Sequence, residues 1–393
     1  MRPFSLLVKP SSADCNLECT YCFYLPRKDL YPESHRHQMG SAVLEQMISS
    51  YMATSQPTYT FGWQGGEPTL MGRRFFERVT ELQEKYGQRG SVVANGLQTN
   101  GTLLSDDLAR HLARTSFLVG ISIDGPAEIH DTYRLRVGQH RGSHADVLRG
   151  LETLKRHGVE YNVLTLVSAA NVHEPRKVYR YLRDELGLRY HQYIPCVEFQ
   201  EDGSPAPYSI SAEDWGSFMN GVFDEWISGD TRTVSVRHFD NVISSLLGQA
   251  PGSCVLGTDC RQYFVVEHNG DVYPCDFFVD RDKLLGNIMN DRWENLWHSS
   301  AYRQFGRMKR QWNSECASCP FLKVCAGDCT KLRTTGKPET PGSDELPVSA
   351  LCGGWRAFYS HTLDRFGEIA REVQRDQTRA YLKLDNPTVH RGL

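Results

Sequence analysis

The chain has 393 residues, with 44 Lys+Arg against 47 Asp+Glu and a net charge of −3. That balance excludes the global basic excess that draws nucleic acid or an anionic membrane. Hydrophobic residues at 40% and charged residues at 23% exclude a largely disordered chain, and the length predicts one large domain with a smaller one.

The first apolar run, Phe4 to Val8 with a serine inside, is too short for a signal-peptide core. The longest apolar stretches, near 117–123 and 163–167, fall far below a membrane span. A cytosolic location and no membrane partner are therefore expected. Cytosolic thiols stay reduced, so twelve cysteines point to metal or redox chemistry rather than to a disulfide framework.

Over residues 1–200, short β-branched or aromatic runs alternate with amphipathic stretches. Strands are predicted over 5–8, 58–63, 92–98, 118–124, 162–167 and 191–194. Helices are predicted over 41–52, 73–86, 106–114, 145–157 and 174–185, with Ser105 as an N-cap before Asp106 and Asp107. Six β/α units imply a parallel sheet, either doubly wound or an incomplete barrel. In both, the active site lies at the C-terminal ends of the strands. After a loop over 202–207, a helix is predicted over 212–227, and helical periodicity then largely stops. The stretch from Cys254 to Cys352 is loop-rich, with a hairpin over 262–267 and 271–273 joined at Asn269-Gly270. Residues 338–347 read as a surface loop, and 372–393 as a helix end with a frayed tail.

Cys15, Cys19 and Cys22 form a C-x3-C-x2-C spacing in the loop after the first strand. Three thiolates leave one iron of a [4Fe–4S] cube open, as a catalytic metal site requires. Followed by Phe23-Tyr24, this spacing resembles the signature of the radical S-adenosylmethionine (radical SAM) superfamily. The resemblance implies a partial (β/α)6 TIM-like barrel in which the open iron binds SAM, whose cleavage yields a 5′-deoxyadenosyl radical. Gly65-Gly66-Glu67-Pro68 is similar to the family element whose backbone meets the SAM amino group. Ser122, in the run 120–125, resembles the residue placed near the ribose, and Arg134 one that pairs with the SAM carboxylate. Tyr21 and Ile194 fall where family members contact the adenosine.

Eight more cysteines lie in the C-terminal third: Cys254, Cys260, Cys275, Cys316, Cys319, Cys325, Cys329 and Cys352. By spacing alone they could form two four-ligand zinc sites or two clusters. From Cys260 onward the pattern is similar to the SPASM domain, a loop-rich iron–sulfur domain. That resemblance implies one auxiliary [4Fe–4S] cluster on Cys254, Cys260, Cys275 and Cys329, and another on Cys316, Cys319, Cys325 and Cys352, three clusters in all. The implied division is a barrel over 1–235, a SPASM domain over 236–365 and a C-terminal helix end and tail over 366–393. Cys196 belongs to neither spacing and reads as a small buried hydrophobe. The 14 histidines show no metal-ligand spacing.

S-L-L-V-K-P, W-Q-G-G-E-P-T-L, Q-T-N-G-T-L-L and Y-P-C-D-F-F resemble most closely the anaerobic sulfatase-maturating enzymes. The family implies oxidation of a Cys or Ser side chain in an unfolded sulfatase polypeptide to Cα-formylglycine. Hydrogen is removed from Cβ, a proton is lost to Asp276, and a second electron goes to an auxiliary cluster. Tyr24 and Gln64 match positions that face the substrate, and an electron donor such as flavodoxin or ferredoxin is implied. Another SPASM peptide maturase, forming a thioether or carbon–carbon crosslink, is the alternative. The first strand begins within a few residues of Met1, leaving no room for the leader-binding domain those enzymes often carry.

Overall fold

The computed structural model describes residues 1–34, 36–250, 252–334 and 347–384. Six parallel strands follow one another in space as in sequence: β1 (Ser5–Lys9), β2 (Tyr59–Trp63), β3 (Val93–Thr99), β4 (Leu118–Ser122), β5 (Glu160–Val167) and β6 (Tyr190–Pro195). This order has no reversal point, so it is the wall of an incomplete barrel and not a doubly wound sheet. Helices cover the outer face: α1 (Ser41–Met52), α2 (Gly72–Tyr86), α3 (Asp106–Arg114), α4 (Ala127–Tyr133), α5 (His144–His157) and α6 (Pro175–Arg180). Ser105 caps α3 by accepting from the Leu108 N–H. The helix predicted over 174–185 runs as α6 and then a π-turn over Tyr181–Glu185.

A short strand β7 (Ser235–Val236) extends the wall beyond β6. The other edge is continued by the hairpin β8 (Tyr263–Glu267) and β9 (Asp271–Tyr273), followed by β10 (Gly286–Asn287). β8 runs parallel to β1, in a register that places Lys9 opposite Glu267. The cysteine-rich C-terminal half is thus welded to the barrel through the strand that precedes the first cysteine loop. Ala13 and Tyr24 of that loop pack with Val265, Tyr273 and Val279 in a small apolar cluster.

The helix predicted over 212–227 forms with those bounds, and helical structure beyond it exceeds the expectation. α7 (Ala212–Ile227) begins with a capping box in which Ser211 and Asp214 bond each other's backbone N–H. α8 (Arg237–Leu246) follows β7, and a helix over Cys352–Leu384 packs along α7 and α8. In the structure a Cβ on Gly354 would meet the Ala212 carbonyl oxygen at 2.1 Å, and one on Gly216 would meet the Gly354 Cα at 2.9 Å. Gly354 and Gly216 thus permit the close approach of α7 and the helix over Cys352–Leu384. This helix crosses residue 365 without a break, and the expected tail beyond residue 384 lies outside the described residues, as does nearly all of the loop expected over 338–347. Among the described residues no helix is long and apolar enough to cross a membrane.

Candidate cluster and substrate site

The loop after β1 carries Cys15, Cys19 and Cys22, all free and partly exposed. It is strapped on one side by the end of α4 and the segment after it: Glu18 N–H donates to the Leu135 carbonyl at 2.8 Å and Thr20 N–H to the Tyr133 carbonyl at 3.0 Å. On the other side lies the turn after β2. Gly66 N–H donates to the Ser12 carbonyl at 2.7 Å and Glu67 N–H to the Asp14 carbonyl at 2.8 Å. A Cβ on Gly66 would stand 2.1 Å from the Asp14 oxygen, and Gly65 adopts φ 138°, so both positions require glycine.

Glu67 is fully buried. One of its oxygens accepts from Thr69 N–H, Thr69 Oγ1 and Thr99 Oγ1 at 2.9, 2.6 and 2.7 Å, the other from Asn100 N–H at 2.7 Å. Its carboxylate therefore clamps the ends of β2 and β3 together. What remains toward a ligand is the pair of Gly65 and Gly66 carbonyls, which no hydrogen bond among the described residues uses. They are acceptors, as an ammonium group needs.

Arg134 is buried beside the cluster loop and donates through Nη1 to the Tyr21 hydroxyl at 3.0 Å. Tyr21 in turn donates to Asp124, whose carboxylate stands 4.0 Å from Arg134. Burial pushes the Tyr21 phenol and the Asp124 carboxyl upward. Arg134 Nε has no partner. An orphaned buried guanidinium donor fits a carboxylate ligand. Ser122 accepts from Gln98 Nε2 at 3.1 Å. Ile194 lies half-buried on β6, where it adds apolar surface opposite Leu166 of β5.

Gln64 donates from Nε2 to Asp276 at 3.1 Å. The other Asp276 oxygen forms an ion pair with Lys9, whose side chain is 2% exposed against 17% for Asp276. Lys9 also stands 4.1 Å from the centre of the Tyr24 ring, and the Tyr24 hydroxyl donates to buried Glu267. Asp276 is thus a held group and not a solvated loop acid. Lys9, Asp124 and Glu267 were not singled out from the sequence. The signal for Lys9 was its charge, ending an otherwise apolar strand of the parallel sheet just before the cysteine loop.

Cys316, Cys319, Cys325 and Cys352 line one cavity with Trp355, Arg356 and Tyr359. Cys254 lies near enough to act on both Cys260 and Cys329, and Cys329 on Cys275. Burial pushes the Cys15, Cys325 and Cys329 thiols up to about 12 and Cys19 to about 11. Buried thiolates at these sites require a cation beside them, which cluster iron would provide. Among the described residues no three His, Cys, Asp or Glu side chains converge as on a single metal ion. Cys196 is buried, its N–H donates to the Val167 carbonyl at 2.8 Å, and burial lifts its thiol to about 12. That is a packing residue.

Comparison with known proteins adds the following. The radical SAM superfamily profile matches residues 10–182, and an iron–sulfur cluster-binding (SPASM) domain profile matches residues 254–320. A serine-type anaerobic sulfatase-maturating enzyme of Bacteroides thetaiotaomicron is 35% identical over 96% of this chain and 94% of its own length. A cysteine-type enzyme of Clostridium perfringens is 33% identical over 95% of this chain and 100% of its own. The solved structure of native anSMEcpe with bound AdoMet and Kp18Cys peptide superposes with a TM-score of 0.87 at 34% identity, covering 94% of this chain and 99% of that one.

Proposed function

The chain belongs to the anaerobic sulfatase-maturating enzymes of the radical SAM superfamily, and from that premise we propose that it oxidises a Cys or Ser side chain of an unfolded sulfatase polypeptide to Cα-formylglycine. The observation that carries the chemistry is the contact of Gln64 and Asp276, which sets a carboxylate beside the cysteine loop and next to Cys275. Cys15, Cys19 and Cys22 would hold a [4Fe–4S] cluster with SAM, which would supply the hydrogen-abstracting chemistry. Cys254, Cys260, Cys275 and Cys329, and Cys316, Cys319, Cys325 and Cys352, would hold two auxiliary [4Fe–4S] clusters, which would supply an acceptor for the second electron.

The protein's own groups divide the remaining work. The Gly65 and Gly66 carbonyls receive the ammonium of SAM, and the free Nε of Arg134 receives its carboxylate. Tyr21, tied by its hydroxyl to Asp124 and Arg134, and Ser122 and Ile194 on the wall flank the adenosine. Tyr24 and Gln64 orient the target side chain. Asp276 takes the proton from its thiol or hydroxyl as Cβ loses a hydrogen atom and one electron leaves. For Ser the result is the aldehyde; for Cys it is a thioaldehyde, which water converts to the aldehyde with release of hydrogen sulfide. An external donor such as flavodoxin or ferredoxin supplies the electron that starts each turnover. The domain division at 235 and 365 and the cytoplasmic location are part of the same proposal.

Asp276→Asn keeps the shape and removes the base. Its expected behaviour is continued deoxyadenosine formation with aldehyde yield reduced by about 10²-fold or more. Wild-type aldehyde yield from this variant would remove Asp276 from the mechanism.

A further inference from the structure

Lysine is almost never fully buried unless it is paired. Lys9 is 2% exposed, and its place is defined by three loops at once. Its ammonium pairs with Asp276, next to Cys275, and lies over the face of Tyr24, two residues past Cys22. Its Cδ lies 3.4 Å from the position a Cβ on Gly65 would occupy, so the stem runs beneath the glycine turn. β1 and β8 hold the Lys9 backbone against Glu267 in the sheet, so the residue cannot drift.

Asp276 has few other anchors. It begins a short 3-10 turn over Asp276–Phe278 whose N-cap, Cys275, makes no side-chain cap. Two side chains fix its carboxylate: Gln64 on one oxygen and Lys9 on the other. Gln64 is also the residue assigned to the substrate, so it must share its amide during turnover. Lys9 is then the anchor that stays.

We propose that Lys9 is a positioning residue for the oxidation: its buried ammonium holds one Asp276 oxygen so that the other faces the target thiol or hydroxyl. The inference rests on the role assigned to Asp276 above. Among the protein's own groups Lys9 pairs with Asp276 and covers Tyr24, and it acts through Asp276. A carboxylate off its line by about 1 Å loses on the order of 10²-fold in rate. Losing Lys9 therefore costs proton removal and leaves radical formation and hydrogen abstraction in place.

The test is a cycle of wild type, Lys9→Met, Asp276→Asn and the double variant, each reconstituted with iron and sulfide. Three readouts are taken with a Cβ-deuterated peptide: deuterium in deoxyadenosine, total deoxyadenosine, and aldehyde by mass spectrometry. Lys9→Met is expected to transfer deuterium as wild type does, with aldehyde per deoxyadenosine lowered by about 10-fold or more. The double variant is expected to match Asp276→Asn, because neither residue has anything left to hold or be held by. Failure of Lys9→Met to fold alone, with a folded double variant, supports the same pairing, since an unpaired buried carboxylate is the cause. A wild-type ratio in Lys9→Met, a loss in the double variant beyond that of Asp276→Asn, or loss of deuterium transfer overturns it. Wild-type enzyme that cleaves SAM without forming aldehyde sinks the functional reading itself, and is told apart because it needs no variant.

Discussion

Gly66 is where the structure makes its sharpest steric claim. A Cβ there would stand 2.1 Å from the Asp14 carbonyl oxygen and 2.6 Å from the Ala13 carbonyl carbon, where real Cβ contacts do not fall below 3.0 Å. These are backbone atoms one and two residues before Cys15, so no rotamer change relieves the clash. Gly66→Ala must push the cysteine loop back by close to an ångström or break the hydrogen bond from Gly66 N–H to Ser12. Overpacking of this kind costs about 1–3 kcal/mol, and a misplacement of about 1 Å costs on the order of 10²-fold in rate. Iron and sulfide content after reconstitution, with SAM-dependent deoxyadenosine formation, reads out the effect. The variant should lose up to about one third of its iron and about 10²-fold of its deoxyadenosine rate, since only the cluster of the displaced loop suffers. Gly229→Ala, with nothing within 4 Å, should behave as wild type. Full iron content and wild-type deoxyadenosine formation in Gly66→Ala would refute the packing argument.

Three further expectations follow from separate parts of the molecule. Replacing Cys15, Cys19 and Cys22 together with Ala should abolish SAM cleavage and leave the remaining iron on the C-terminal cysteines; undiminished deoxyadenosine would refute the assignment. Glu67→Gln turns one of four accepted hydrogen bonds into a clash of donors, at about 1–3 kcal/mol for the buried group left unsatisfied; an unchanged urea midpoint under anaerobic conditions would contradict it. Burial lowers His191 to about 4, so between its unfolded value of about 6.5 and that point only the unfolded chain takes up the proton. Its stabilisation is complete above the unfolded value and is lost as pH falls through this window. His191→Gln should flatten the drop in urea midpoint between about pH 7.5 and pH 5.5, and equal acid sensitivity in wild type and variant would count against the burial account.

The strands of the barrel wall were legible because β-branched and aromatic runs recur between amphipathic stretches, and their ends differ by only a residue or two. The run expected to reach Asp124 stops at Ser122, and β5 begins at Glu160 rather than 162. The hairpin over 262–273 was readable from Asn269-Gly270, but its parallel pairing with β1 was not, since register between distant strands leaves no local pattern. The helix over Cys352–Leu384 was expected only as a helix end near 372, and its start carries Gly354, whose close contact with α7 has no local pattern. At the site, spacing marked the cysteine runs, while their division into sets and the role of the glycine turn were implied by the family resemblance and not by spacing. Lys9 and Glu267 were not, because a charged residue inside an apolar run acquires meaning only when its partner is known to lie across the fold. Glu67 was expected to act through the backbone of its turn, and the structure adds that its carboxylate is consumed inside the protein.

One measurement bears most directly on the central claim. The reconstituted enzyme is incubated anaerobically with SAM, a low-potential reductant and two peptides that share a sulfatase maturation sequence, one with Cys and one with Ser at the target position. The account predicts a Cα-formylglycine aldehyde in at least one peptide, formed with one deoxyadenosine per aldehyde. Deoxyadenosine without aldehyde in either peptide, or a thioether or carbon–carbon crosslink in its place, would contradict it.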